Sequence, residues 1–167
     1  MIDLATFNLL GAAEAESTLL ACCASPRWAA TLAARRPFPD LDALLAAADD
    51  AWWSLDGSDW LAAFAAHPRI GERPPGHGTA ARWSTGEQSR AAAAPPEVQA
   101  AIAEGNRRYE ERFRHVFLIA AAGRTGEEIL AELERRLGND PASELREAAG
   151  EQAKIMRMRV ERMFGRG

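Results

Sequence analysis

The chain has 167 residues, 47% of them hydrophobic and 26% charged, with a formal net charge of −4; that length and balance suit one globular domain with a sizeable core. A mild negative charge without long like-charge runs offers no field for a polymeric anion, so nucleic acid is excluded as a partner. No apolar run reaches membrane-spanning length, and Met1-Ile2-Asp3-Leu4 lacks the flank and core of a signal peptide, so no membrane association and a cytoplasmic location are expected. Cys22 and Cys23 are adjacent, which makes neither a disulfide framework nor a zinc spacing and fits a reducing compartment. Abundant Ala, Arg and Glu with few β-branched residues favour helix. The expectation is an all-α protein: one compact helical bundle over residues 1–167, of about seven to eight helices.

In chain order, residues 3–35 read as two helices. Phe7-Asn8-Leu9-Leu10 leads into an Ala/Glu-rich stretch with Leu19, Leu20 and Cys23 inward, and Ser25-Pro26 restarts the pattern at Trp28. Arg35-Arg36-Pro37-Phe38-Pro39-Asp40 breaks the chain before Leu41, Leu44, Leu45 and Ala48 repeat at helical spacing towards Trp52 and Trp53. Gly57 and Ser58 separate this helix from the next, for which Ser58 or Asp59 is the expected cap and Trp60, Leu61 and Phe64 the buried face. His67 follows on the same inward side, and Pro68 cannot continue the helix. The imidazole is therefore expected at a helix carboxyl end, where unpaired carbonyls favour its cation, a proton donor near neutral pH. A half-buried histidine that closes a helix is the alternative.

Arg73 to Trp83 is rich in Pro, Gly and Ala and reads as a loop. Ser84 and Glu87 have capping-box spacing, so Ser84-Thr85-Gly86-Glu87-Gln88 is expected to open a helix whose free N–H groups would also suit a carboxylate ligand. Beyond Pro95-Pro96, Val98, Ala101, Ile102, Gly105 and Tyr109 indicate a helix running to Phe113, with Asn106 near its inner face. Phe117-Leu118-Ile119-Ala120-Ala121-Ala122-Gly123 is too short and too apolar for periodicity, and buried irregular backbone is expected. Thr125 caps a helix through Ile129, Leu130, Leu133 and Leu137, stopped by Gly138 and Asn139-Asp140-Pro141. In the closing helix, near 143–164, Leu145, Ala149, Gln152, Ile155, Met156, Val160 and Met163 form one face, and Arg159 falls inside it. A buried guanidinium demands a carboxylate or several carbonyls, unless it snorkels to the edge of the stripe.

If His67, Glu87 and Arg159 converge, they offer a proton donor, a carboxylate that accepts from N–H groups, and a fixed cation for an anionic oxygen. Such a set suits a small polar acid. No P-loop or dinucleotide fingerprint is present, and His67, Glu72 and His77 have no established ligand spacing, so neither a cofactor nor a metal is expected. The reaction needing least apparatus is loss of carbon dioxide, or proton movement, beside a carbonyl that can hold the resulting charge. Ser84 lacks a nucleophile elbow, which disfavours serine chemistry.

Phe7-Asn8, Cys23-Ala24-Ser25 with Arg27-Trp28, Arg36-Pro37-Phe38, His67-Pro68-Arg69-Ile70-Gly71, Ser84 to Gln88, Asn106 with Tyr109, and Arg159 span nearly the whole chain. Together they closely resemble one family, the 2-oxo-4-hydroxy-4-carboxy-5-ureidoimidazoline (OHCU) decarboxylases of the uric acid pathway. His-Pro-Arg-Ile-Gly followed by Ser-x-x-Glu-Gln is far more specific than either half alone. The resemblance implies an all-helical, homodimeric, cofactor-free carboxy-lyase that converts OHCU to (S)-allantoin. It implies catalytic roles for His67, Glu87 and Arg159, and substrate binding by Pro68, Ser84, Thr85, Gly86 and Gln88 with backbone of Phe117, Leu118, Ile119, Ala120 and Ala121. A decarboxylase of a related ureido acid, or a helical ligand-binding module without catalysis, are the rival readings. One position departs: the family commonly has Phe-Gly where Phe113-Arg114 stands, so if that glycine serves a positive dihedral or a close backbone approach, Arg114 must either tolerate it or reshape that loop. His115 is expected to be a surface or satisfied core histidine.

Overall fold

The computed structural model describes residues 2–72 and 77–165. Ten α-helices and no strand occur among them: α1 (Leu4–Leu9), α2 (Ala12–Leu20), α3 (Pro26–Ala34), α4 (Leu41–Trp53), α5 (Gly57–Phe64), α6 (Thr79–Glu87), α7 (Ser89–Ala92), α8 (Pro96–Phe113), α9 (Gly126–Arg136) and α10 (Pro141–Phe164). The all-α expectation holds. The count exceeds it because α1, with six residues, and α7, with four, are too short for a helical period to register.

Side-chain oxygens set where most helices begin, by accepting from N–H groups that a helix start leaves unpaired. Asp3 accepts from Thr6 N at 2.9 Å, Ser25 from Trp28 N at 3.2 Å with Pro26 in the first turn, and Asp40 from Ala43 N at 2.8 Å. Thr125 and Glu128 form a reciprocal capping box on α9. The cap of α5 is Asp56, which accepts from Ser58 N at 2.9 Å and Asp59 N at 3.2 Å. Ser58 and Asp59, the expected caps, lie inside the first turn, because an aspartate one residue ahead of the glycine reaches the same donors. The loop expected over 73–83 is corrected too: residues 73–76 lie outside the described residues, but Thr79 to Trp83 are helical.

The chain groups into two compact units, Met1–Ala63 with Ala153–Gly167, and Phe64–Gln152. In the first, α2 packs on α3 and α3 on α4. Phe7, Leu19, Trp28, Leu32, Leu44, Leu45 and Trp52 are buried there, and Phe7 meets Phe164 edge to face at 4.9 Å. Two inward expectations fail: Leu20 is 37% and Leu61 40% exposed, since each stands at the margin of a helix too short to carry a wide apolar stripe. Arg36 closes the end of α1, donating to the carbonyls of Phe7 at 2.8 Å and Leu10 at 2.7 Å. Asn8 pairs both ways with the backbone of Phe38, at 2.8 and 2.9 Å.

In the second unit α8 packs along α9 closely enough that a Cβ on Gly105 would fall 2.5 Å from Leu133. Below this contact lies a buried polar cluster. Arg136, 1% exposed, donates from Nε to Glu144 at 2.9 Å and from Nη1 to the Leu118 carbonyl at 2.7 Å, while the Tyr109 hydroxyl donates to Glu144. Burial first, and then the Glu144 carboxylate, push the Tyr109 phenol above its usual range, so it stays a donor. α8 ends on Arg114, whose φ of 64° and ψ of 20° place a non-glycine residue in the left-handed region. That conformation explains why a glycine would serve there. Arg114→Gly is expected to stabilise the protein by about 1 kcal/mol, the left-handed penalty of an L side chain less the added chain entropy, read as a rise in the urea midpoint.

Candidate active site

His67 lies three residues beyond α5, in a turn rather than on the helix's last residue, and its N–H donates to the Phe64 carbonyl at 3.0 Å. It and Pro68 are half-buried, and Ile70 is buried. Two bonds anchor the loop that follows. Gly71 N donates to Gln88 Oε1 at 3.0 Å, and the Ile70 carbonyl accepts from Asn106 Nδ2 at 2.9 Å. Gly71 itself takes a φ of 90°, which suits glycine. The motif around His67 is thus fastened to the residue just after Glu87.

Ser84 and Glu87 occupy the last turn of α6. The capping-box reading is therefore corrected: α6 begins after Gly78, where no side chain caps it, and Ser84 cannot offer the free N–H groups of a helix start. The spacing of three that mimics a capping box here puts Ser84 and Glu87 on one helix face. Both are buried, at 6% and 8% exposure, whereas Thr85 and Gly86 are exposed, and the Thr85 hydroxyl donates to the Ala81 carbonyl at 3.1 Å.

Phe117, Leu118, Ile119 and Ala121 are buried in irregular backbone, with Ala120 half-buried, as expected for that stretch. Its polar groups are served by side chains: the Leu118 carbonyl by Arg136, and Ala120 N by Glu151 Oε2 at 2.8 Å. Glu151, 8% exposed, was not singled out by sequence reasoning, and the fully buried Gln152 was placed on the inner face of the closing helix but given no role. Gln152 left a signal, being the one amide in the apolar stripe of α10. Neither its Oε1 nor its Nε2 finds a hydrogen-bond partner among the described residues, and the same holds for Asn106 Oδ1.

Arg159 belongs to the first unit and is 4% exposed, so it is buried rather than snorkelling. Its charge lowers the pKa of Cys22 and Cys23, but burial dominates and pushes both thiols up to about 12. A groove of about 750 Å³ beside α8, lined among others by Arg69, Gly71, Asn106 and Glu110, includes neither His67 nor Glu87. No group of three or more His, Cys, Asp or Glu side chains suited to a metal occurs among the described residues, and no helix among them is long and apolar enough to cross a membrane.

His115 packs its ring against Phe64 and Tyr109, each at 5.4 Å between centroids, and is half-buried. Burial holds its pKa below the ordinary 6.5, partly offset by the Val116 carbonyl 3.1 Å from Nδ1.

These features define a class: an all-α protein that presents an imidazole and a carboxylate on backbone fastened together at helix ends. Residues 8–161 match the family model described as OHCU decarboxylase. The chain is 37% identical over 146 residues to the uric acid degradation bifunctional protein TTL of Arabidopsis thaliana, covering 86% of this chain and 45% of that protein. It is 33% identical to 2-oxo-4-hydroxy-4-carboxy-5-ureidoimidazoline decarboxylase of Amia calva, covering 81% of this chain and 79% of that one. A crystal structure of OHCU decarboxylase in the presence of (S)-allantoin superposes with a TM-score of 0.77 at 35% identity, over 87% of this chain and 95% of the other. The chain belongs to the OHCU decarboxylase family. It spans less than half the length of the Arabidopsis relative.

Two outcomes follow from the burial of these groups. With its folded pKa depressed, native His115 binds fewer protons than the unfolded chain as pH falls through about 6.5, so stability is kept above that pH and declines below it. His115→Phe is expected to flatten urea midpoints measured between about pH 5 and 6.5. Cys22 and Cys23 are expected to stay unreactive to a chromogenic disulfide at pH 8 in the native protein and both to react once it is denatured.

Proposed function

We propose that this chain catalyses the cofactor-independent decarboxylation of OHCU to (S)-allantoin in uric acid degradation, acting as a carboxy-lyase in the cytoplasm and as a homodimer. The observation that carries the reading is the Gly71–Gln88 hydrogen bond, which fastens the loop of His67 to the end of the helix bearing Glu87. Family membership over residues 8–161 supplies the substrate class, and the related structure with (S)-allantoin supports the product.

In this mechanism Glu87 accepts hydrogen bonds from ureido and ring N–H groups, with backbone of Phe117 to Ala121 gripping the rest. Pro68, Ser84, Thr85, Gly86 and Gln88 complete the lining. Arg159 offsets negative charge growing on a carbonyl oxygen. The bond to the carboxylate breaks, carbon dioxide leaves, and the electron pair it leaves behind enters the adjacent conjugated system as an enolate-like intermediate. His67 then delivers a proton to one face, which sets the S configuration.

OHCU freshly generated from urate is expected to decay faster with the protein than without it, followed by ultraviolet absorbance, and circular dichroism is expected to report (S)-allantoin. His67→Gln should keep the helical far-ultraviolet spectrum and lose at least ~100-fold in kcat. A fully active His67→Gln protein would remove His67 from the mechanism, and an unaltered decay with wild type would remove the activity.

A further inference from the structure

We propose that Glu151 and Arg136 are positioning residues that aim the two backbone polar groups of Ile119 at the substrate. The inference rests on the functional reading above, in which the backbone of Phe117 to Ala121 lines the substrate site. Irregular backbone has no ladder to fix its peptide planes, so something else must hold them. Here two charged side chains do so from either side of Ile119. Arg136 Nη1 takes the Leu118 carbonyl at 2.7 Å, and Glu151 Oε2 takes the Ala120 N–H at 2.8 Å.

The peptide bonds on both sides of Ile119 are trans, the one cis bond among the described residues being Arg36-Pro37. In a planar trans peptide the C=O and the following N–H point in opposite directions. With the Leu118 carbonyl turned to Arg136, the Ile119 N–H points away from Arg136. With the Ala120 N–H turned to Glu151, the Ile119 carbonyl points away from Glu151. Each charged residue therefore fixes the direction of one Ile119 group without touching that group. Arg136 is itself held by Glu144, at 2.9 Å from Nε and 2.5 Å from Nη2. One donor and one acceptor on a single residue match the N–H and C=O of a ureido group.

Arg136 is bound into the buried cluster, so Glu151 is the residue to test. Glu151→Met fills similar space without a carboxylate acceptor, and Glu151→Gln retains an amide oxygen that accepts from Ala120 N–H. With OHCU as substrate, Glu151→Met is expected to raise KM about tenfold, the worth of one hydrogen bond, with kcat within about threefold, since the grip lies away from the bond that breaks. Glu151→Gln is expected to restore KM to within about threefold of wild type. A Glu151→Met protein with wild-type KM overturns the positioning role, as does a Glu151→Gln protein impaired as much as Glu151→Met. If Glu151→Met does not fold, the Glu151→Gln KM and the exchange rate of the Ala120 amide decide: slow exchange with wild-type KM supports the role, and fast exchange with wild-type KM overturns it. Failure of the wild type itself to accelerate OHCU decay overturns the functional reading and is seen separately, before any variant is compared.

Discussion

The second unit depends on the guanidinium of Arg136. It is almost wholly withdrawn from water, meets Glu144 and the Leu118 carbonyl, and lies 4.7 Å over the Phe117 ring. The second Glu144 oxygen accepts from Asn139 Nδ2 at 2.7 Å. Such a pair adds little net stability over an apolar substitute, but removing one partner costs about 3–5 kcal/mol by stranding the other. What it supplies is a single arrangement. The end of α9, the start of α10 and the irregular stretch at Leu118 can satisfy these charges together in one register, and any slip leaves a buried charge unpaired.

Several residues of the family pattern hold backbone. Asn8, Arg36 and Phe38 tie the end of α1 to the chain beyond α3. Ser25 caps α3, and Asn106 pins the carbonyl of Ile70. These polar residues have backbone to satisfy, and their place in the pattern needs no chemistry.

Much of this was legible in the sequence. Periodicity located α4, α8, α9 and α10, Pro26 as a first-turn proline located α3, and the cap at Thr125 follows from a side chain that can reach an N3 amide; the cap at Asp40 reads in the sequence only as part of a chain break. The inward turn of Arg159 could be read from angular position alone, and its 4% exposure agrees. The failures have local causes. Ser84 and Glu87 carry a spacing that serves equally as a cap or as two positions on one helix face, and only the start of α6 at Thr79 distinguishes them. Arg136 and Glu144 lay among exposed-looking charges such as Arg135 and Glu147, and nothing in the order of charges marks which pair goes inside. Glu151 escaped notice because its partner, Ala120 N–H, belongs to a stretch without periodicity.

Gln152 has a consequence for how this protein would respond to selection for durability. A side-chain amide with both ends unserved in the interior subtracts from stability, and an apolar residue of similar volume, such as methionine, would remove that deficit. Laboratory evolution for heat resistance alone would therefore discard this glutamine early.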